Sequence, residues 1–105
     1  MCGIVGVFDL AGHHPVDERR LGRMADALIH RGPDGGGLFT VAGIGLGHRR
    51  LSIIDLAGGR QPLADATGEV VLVFNGEIYN YREIAAELAA KGYRFRTNSD
   101  TEVIA

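Results

Sequence analysis

The stretch MCGIVGVFDL, residues 1–10, decides how the rest of the sequence is interpreted. Residues 4–8 are mainly β-branched and aromatic, and glycine and aspartate bound them, so they predict a buried strand. Cys2 is the only cysteine among the 105 residues and stands at the leading edge of that strand. A lone cysteine is most often a small buried hydrophobe, so a thiol in this position requires its own explanation.

The composition restricts the class of protein. A chain of 105 residues with 46% hydrophobic and 23% charged content is typical of one small globular domain. A net charge of −2, with basic and acidic residues interspersed, argues against a nucleic-acid partner. The longest aliphatic and aromatic run, residues 70–74, is too short to span a bilayer, and one cysteine forms no internal disulfide. We expect a cytoplasmic protein without a membrane partner.

Residues 17–29 predict the first helix. Asp17 is a suitable N-cap, and apolar residues follow it at helical spacing. This apolar face consists of Leu21, Met24, Ala25, Leu28 and Ile29. Pro33 restricts the residue before it, and glycines surround it, so the chain should form a loop over residues 31–37.

The middle of the chain predicts three strands and one loop. Residues 38–41 and 44–50 predict a hairpin that turns at Ala42-Gly43. Residues 55–67 are rich in Gly, Asp and Pro and predict a loop. Residues 69–74 predict a second buried strand.

The last third predicts a second helix and the start of a third. Asn80 and Glu83 form a capping pair for the second helix, and Gly92 ends it. Residues 93–95 predict a short strand. Ser99 opens a further helix, which contains barely one turn before the last residue, so we expect this sequence to be the first part of a longer chain.

Cys2 gains a catalytic interpretation from its position. Removal of Met1 would leave an α-amine with a pKa near 8 and a thiol with a pKa of about 8.5 on one residue, so Cys2 could supply both nucleophile and base. A thiol that attacks a carboxamide needs donors for the developing oxyanion. Asn75-Gly76 offers a side-chain amide and an unobstructed backbone N–H. The alternative is an ordinary hairpin turn, although no matching second strand follows.

Six ordered motifs are spread over residues 2–105. They are Cys2-Gly3-Ile4-Val5-Gly6, His30-Arg31-Gly32-Pro33-Asp34, Arg50-Leu51-Ser52-Ile53-Ile54-Asp55, Gln61-Pro62-Leu63, Phe74-Asn75-Gly76-Glu77-Ile78-Tyr79-Asn80 and Ser99-Asp100-Thr101-Glu102. Together they resemble the N-terminal glutaminase domain of class II glutamine amidotransferases. Within that family the similarity is greatest to glutamine-hydrolysing asparagine synthetases.

The resemblance implies an α+β fold, the αββα sandwich of N-terminal-nucleophile hydrolases, of which this chain is the N-terminal portion. It also implies site residues. Cys2 is the nucleophile, and Asn75 with Gly76 forms the oxyanion hole. Arg50 binds the α-carboxylate of glutamine, and Glu77 and Asp100 receive its ammonium group. This set suits a zwitterion, which requires a fixed cation and one or two carboxylates. The alternative for Arg50 is a solvated surface charge.

The implied activity is hydrolysis of glutamine to glutamate and ammonia through a Cys2 thioester. The ammonia would pass to a C-terminal synthetase domain that uses ATP and Mg²⁺ to amidate aspartate. We expect no cofactor or metal in the present portion, and a homodimer remains open. One alternative is a fold fragment that is inactive alone, and another is an amidotransferase with a different ammonia acceptor.

Three other segments contain residues that could bind a ligand or take part in catalysis. A glycine-rich loop at residues 34–37 could form a phosphate nest, but it lacks the Lys and Ser or Thr of a P-loop. His13-His14 could bind a metal, but adjacent residues on an extended segment point apart, which favours a solvated loop. His48 could act as a base toward Cys2, but packing or capping is the expected role on an alternating strand.

Overall fold

The computed structural model describes residues 1–53 and 58–105. The chain is α+β, and in these residues two antiparallel sheets are present, one of three strands in the order β1-β3-β2 and one formed by β4 and β5. No helix in this part of the chain has the length and apolar character needed to cross a membrane. The elements are β1 (Gly3–Phe8), α1 (Glu18–Asp26), β2 (Gly35–Val41), β3 (Ile44–Arg50), β4 (Leu63–Ala64), β5 (Val71–Leu72), α2 (Tyr81–Ala90) and a 3₁₀ helix (Asp100–Ile104).

Helix α1 covers one face of the three-stranded sheet. The Asp17 carboxylate accepts hydrogen bonds from the backbone of the first turn, so the predicted N-cap is confirmed. Leu21 and Ala25 are 0% and 5% exposed and form the apolar contact with the sheet. The helix approaches closely because β3 presents glycines there: a Cβ at Gly45 would lie 3.0 Å from Leu21 Cδ2, and a Cβ at Gly47 would lie 3.5 Å from Ala25 Cβ. Two of the three buried hydrophobic residues in the described chain thus lie between α1 and β3, and the third is Leu63.

The β2–β3 hairpin turns where the sequence predicted, but β2 begins three residues early. Gly43 adopts φ +80° in the turn. The predicted loop over residues 31–37 is wrong in its second half, because Gly35 already pairs with Arg50. The reason is a close approach from outside the sheet: a Cβ at Gly37 would lie 2.3 Å from the Gln61 carbonyl oxygen. Only glycine allows that contact. Packing therefore places residues 35–37 in strand β2, although glycine by itself favours loops.

Two predicted buried strands are less buried and less extensive than expected. Strand β1 is covered by α1 on one face only, and Ile4 and Phe8 on the other face are 45% and 67% exposed. In the region predicted as strand 69–74, only Val71–Leu72 pairs, with Leu63–Ala64 of the predicted loop 55–67. Residues 55–57 of that predicted loop lie outside the described residues. The ladder between β4 and β5 is therefore two residues long.

Among the helix signals in the second half of the chain, Gly92 and Ser99 are confirmed, and the Asn80–Glu83 capping pair is wrong. Gly92 has φ +99° and ends α2 as predicted. The Asn80 side chain makes no capping hydrogen bond, and α2 begins instead with backbone bonds to the Asn80 carbonyl. The predicted strand 93–95 is absent from this described region, because the backbone that follows donates to the Glu102 carboxylate instead. Ser99 caps the 3₁₀ helix, which confirms the predicted helix start.

Candidate active site

A cavity of about 320 Å³ opens at the end of the sheet where β1 begins and β3 finishes. Segments that are distant in sequence converge on it. The six residues selected from the sequence all line it, namely Cys2, Arg50, Asn75, Gly76, Glu77 and Asp100. The other lining residues are Met1, Leu51, Ile53, Gly59, Gln61, Phe74, Tyr79, Ser99 and Thr101. The cavity therefore joins thiol, guanidinium, amide and carboxylate groups in one space.

Cys2 is half-buried and is held against the chain that leaves β3. Its Sγ accepts a hydrogen bond from the Leu51 backbone N–H at 3.3 Å and lies 3.6 Å from the Leu51 carbonyl oxygen. The Cys2 carbonyl accepts from Arg31 Nε at 3.3 Å. Leu51 was not singled out from the sequence, because its contact is made by the backbone and leaves no mark on residue type. These bonds place the thiol at the cavity wall.

The motif at residues 30–34 is a support for this wall. Gly32 lies directly on the β3 backbone, where a Cβ would come within 2.3 Å of the Arg49 carbonyl carbon. Asp34 Oδ2 accepts from the Ser52 backbone N–H at 2.8 Å. The loop therefore holds the end of β3 through Gly32 and Asp34, and Arg31 reaches from it to the Cys2 carbonyl.

Arg50 is 9% exposed, so its interpretation as a solvated surface charge is wrong. It is the last residue of β3, and its side chain passes over Gly59, where a Cβ would lie 2.7 Å from Nη2. The planar guanidinium is well shaped to bind a carboxylate through two parallel hydrogen bonds. Arg50 also lines a second cavity, described below.

The stretch from Asn75 to Glu77 is suspended between two anchored residues. Before it, the Phe74 N–H donates to Gln61 Oε1 at 2.6 Å. After it, the Ile78 N–H donates to Asp100 Oδ2 at 2.8 Å. Gly76 sits over the Phe74 ring, so that a Cβ there would approach Cζ to 2.7 Å. A glycine is therefore required at this point of the stretch.

Two acidic side chains of the 3₁₀ helix are buried, and they have different surroundings. Asp100 is 6% exposed and faces the cavity, while Glu102 is 1% exposed and faces the turn before the helix. Burial raises the pKa of Glu102, but hydrogen bonds from Thr97 and Arg96 outweigh it, and the net pKa lies below its usual value. Glu102 therefore holds the turn that presents Asp100. Glu77 is exposed at the cavity rim.

His48 is 1% exposed and lies beside the site. Within the described residues, its ring makes no hydrogen bond to Cys2. A carbonyl oxygen can only accept, so Nε2 carries a hydrogen and donates to the Phe74 carbonyl at 3.3 Å. Nδ1 has no hydrogen-bond partner within residues 1–53 and 58–105. Burial lowers the pKa of His48, the Phe74 bond raises it and the Arg50 charge lowers it, with a net decrease. His48 lines a second cavity of about 290 Å³, together with Asp34, Gly35, Gly36, Arg50, Ser52, Arg60 and Gln61.

Neither alternative ligand site gains support from the geometry. Residues 35–37 belong to strand β2, so their N–H groups are not gathered into a phosphate nest. His13 and His14 are exposed, and His14 Nδ1 lies 2.9 Å from Asp9 Oδ2. Across the described ranges, no three His, Cys, Asp or Glu side chains come together in a way that could hold a metal ion.

Comparison with known proteins places these features in a family. The family model of the glutamine amidotransferase domain matches residues 1–105, and the chain belongs to that family. It is 49% identical over 109 residues to asparagine synthetase (glutamine-hydrolysing) 1 of Bacillus subtilis (strain 168). It is 42% identical over 105 residues to asparagine synthetase (glutamine-hydrolysing) 1 of Arabidopsis thaliana, and 40% identical over 104 residues to asparagine synthetase B (glutamine-hydrolysing) of Escherichia coli (strain K12).

These matches cover 99–100% of this chain but 17–19% of the relatives. The resemblance predicted from the six motifs is confirmed. The chain corresponds to a glutamine amidotransferase domain of the kind found in glutamine-hydrolysing asparagine synthetases, which are enzymes.

Proposed function

We propose that this chain carries the glutaminase site of an asparagine synthetase-like enzyme. The proposal rests on one observation, namely that one cavity is lined by Cys2, Arg50, Asn75 and Asp100. Each supplies a group that hydrolysis of free glutamine needs: a nucleophile, a carboxylate partner, an oxyanion donor and an ammonium partner. The cavity of about 320 Å³ suits a small amino acid. Gly76 joins Asn75 in the oxyanion arm of the site, and Glu77 joins Asp100 in the ammonium arm.

The proposed reaction begins with a free Cys2 amine, so Met1 must first be removed. The amine takes the thiol proton, and Sγ attacks the side-chain carbonyl carbon of glutamine while Asn75 and Gly76 donate to the oxyanion. The C–N bond then breaks, and the departing nitrogen takes the proton from the amine and leaves as ammonia. Water adds to the γ-glutamyl thioester, the C–S bond breaks, and glutamate and the free thiol result.

In a protein as long as the relatives, we propose that the ammonia reaches a C-terminal synthetase domain that amidates aspartate. ATP and Mg²⁺ belong to that domain, so no residue of these 105 is assigned to them. We further propose that additional chain completes the αββα sandwich and that the protein works in the cytoplasm. The exposed face of β1, with Ile4 and Phe8, favours further chain covering it. The same face is the observation behind the alternative, an inactive fold fragment.

The test is release of glutamate and ammonia from glutamine by the purified protein and by its Cys2→Ala variant. We expect the substitution to lower kcat by more than about a thousandfold, because no other thiol is present in the chain. Intact mass should show loss of Met1 and, in rapidly quenched samples, a γ-glutamyl adduct on Cys2. Undiminished activity in Cys2→Ala would refute the proposal. Inactivity of the 105-residue chain beside an active longer form would identify the isolated piece as a fold fragment.

A further inference from the structure

Phe74 is the last residue before the proposed oxyanion donors, and both of its backbone polar groups are held by side chains. Its N–H donates to Gln61 Oε1 at 2.6 Å, and its carbonyl accepts from His48 Nε2 at 3.3 Å. Gln61 is 9% exposed and His48 is 1% exposed, so neither bond competes freely with water. A backbone residue with two buried side-chain partners is fixed in orientation on both sides of its Cα.

We propose that Gln61 and His48 are positioning residues that aim the Asn75–Gly76 donors at the oxyanion position beside the Cys2 thiol. The inference rests on the proposed function and adds two residues to it. The Phe74 carbonyl and the Asn75 N–H belong to one planar peptide group, so the bond from His48 fixes the direction of that N–H. The bond from Gln61 fixes the peptide group before it. The path into residues 75 and 76 is then determined before substrate binds.

Gln61 also connects the two arms of the site. Its Nε2 donates to Thr101 Oγ1 at 3.3 Å, and Thr101 follows Asp100, the proposed ammonium partner. The amide orientation is consistent with both partners, since Oε1 faces a donor and Nε2 faces a hydroxyl oxygen. One side chain therefore sets the distance between the oxyanion arm and the ammonium arm.

The Gln61 backbone packs against strand β2 of the sheet. Its carbonyl oxygen lies over Gly37, where an added Cβ would come within 2.3 Å. This contact explains two sequence features that the family resemblance left without a role, the glycine run of β2 and the motif at residues 61–63. Gln61 therefore links the sheet to the Asn75–Gly76 stretch in the cavity wall.

The principal test is Gln61→Met, which preserves length and removes both hydrogen bonds. Misaligned donors weaken the transition state more than the ground state, so kcat for glutamine should fall by about tenfold to a hundredfold. KM should stay within about threefold, because Arg50 is unchanged and Asp100 still accepts its bond from the Ile78 N–H. The rate of Cys2 alkylation by iodoacetamide, which needs no oxyanion donor, should remain that of the unmodified protein.

Two controls separate positioning from general stability. Gln61→Glu retains an acceptor for the Phe74 N–H and can accept from the Thr101 hydroxyl, so it should restore kcat to within about threefold of wild type. Leu63→Ala removes a buried side chain of the neighbouring strand β4 that is 8% exposed and outside the cavity. It should lower the free energy of unfolding while leaving kcat unchanged.

The outcomes distinguish this inference from the proposed function. If neither the wild-type 105-residue chain nor a longer form releases ammonia from glutamine, the proposed function fails and the inference fails with it. An active wild type with an unchanged kcat in Gln61→Met overturns the positioning role alone, as does equal loss of kcat in Leu63→Ala. Should Gln61→Met fail to fold, His48→Leu decides instead: a lower kcat at constant KM supports the inference, and an unchanged kcat overturns it.

Discussion

The two faces of the three-stranded sheet are built from different kinds of residue. The face toward α1 combines Leu21 and Ala25 with glycines of β3, and it is formed largely by neighbouring segments. The opposite face carries His48 and Arg50, which are buried at one end by chain that follows much later in sequence. At its other end that face leaves Phe8 67% exposed. Packing and chemistry are thus separated onto opposite sides of the same strands.

The separation predicts that substitutions on the α1 face change stability and those on the cavity side change activity. Leu21→Ala should give the largest effect on stability, because Leu21 is 0% exposed and loses its whole contact with the sheet. We expect the free energy of unfolding to fall by about 2–5 kcal/mol, measured by denaturant titration. Glutaminase kcat per folded molecule should be unchanged, and a parallel loss of kcat would contradict the separation.

Asn75→Ala is the reciprocal test on the cavity side. Loss of one oxyanion donor should lower kcat by about a hundredfold to a thousandfold, equivalent to about 2.7–4 kcal/mol, with a small change in KM. The free energy of unfolding should equal that of the wild-type protein. Asn80→Ala is the matched control, since Asn80 lies at the start of α2, is exposed and makes no side-chain capping bond. An equal kcat loss in both variants would show that the asparagine at position 75 has no special role.

A smaller effect is expected from Gly47→Ala. The new Cβ would lie 2.6 Å from Val5 Cγ2 of β1 and 3.1 Å from Leu38 Cδ2 of β2, so these side chains must shift, at a cost of about 1–3 kcal/mol. Gly35→Ala is the matched control on β2, because a Cβ there meets nothing within 4 Å. Differential scanning calorimetry should show a lower Tm for the first variant only. Equal melting temperatures would mean that the close packing of Val5 and Leu38 over Gly47 is not maintained in solution.

The sequence predicted the elements whose signals are local. Asp17, the Ala42-Gly43 turn, Gly92 and Ser99 each act through bonds within a few residues, and each marks its predicted boundary in the structure. The early start of β2 was missed because a residue 24 positions later in the chain imposes it, through the Gly37 contact with Gln61. No local preference of glycine reveals such a contact.

The site was predicted through the family resemblance, and its supporting bonds were not. The residues that converge on the cavity were chosen by their motifs, and their roles remain predictions. The bonds from Gln61 and His48 to Phe74 join positions 13 and 26 residues apart. Sequence reasoning gave His48 a packing or capping role without identifying what it would contact. Partners of this kind depend on the assembled fold, because any buried donor within reach of the carbonyl would serve equally well.

The smallest predicted effect is the pH dependence that His48 imparts to stability. Its pKa in the folded state lies below the ordinary value of 6.5, so the unfolded state binds the proton more readily. The stabilising contribution is therefore complete above pH 6.5 and is lost as the pH falls below it, with a slope of at most about 1.4 kcal/mol per pH unit. His48→Leu should flatten the wild-type slope below pH 6.5. His13→Leu, at an exposed site, should retain it, and equal slopes for wild type and His48→Leu would mean that the buried imidazole takes its proton without cost.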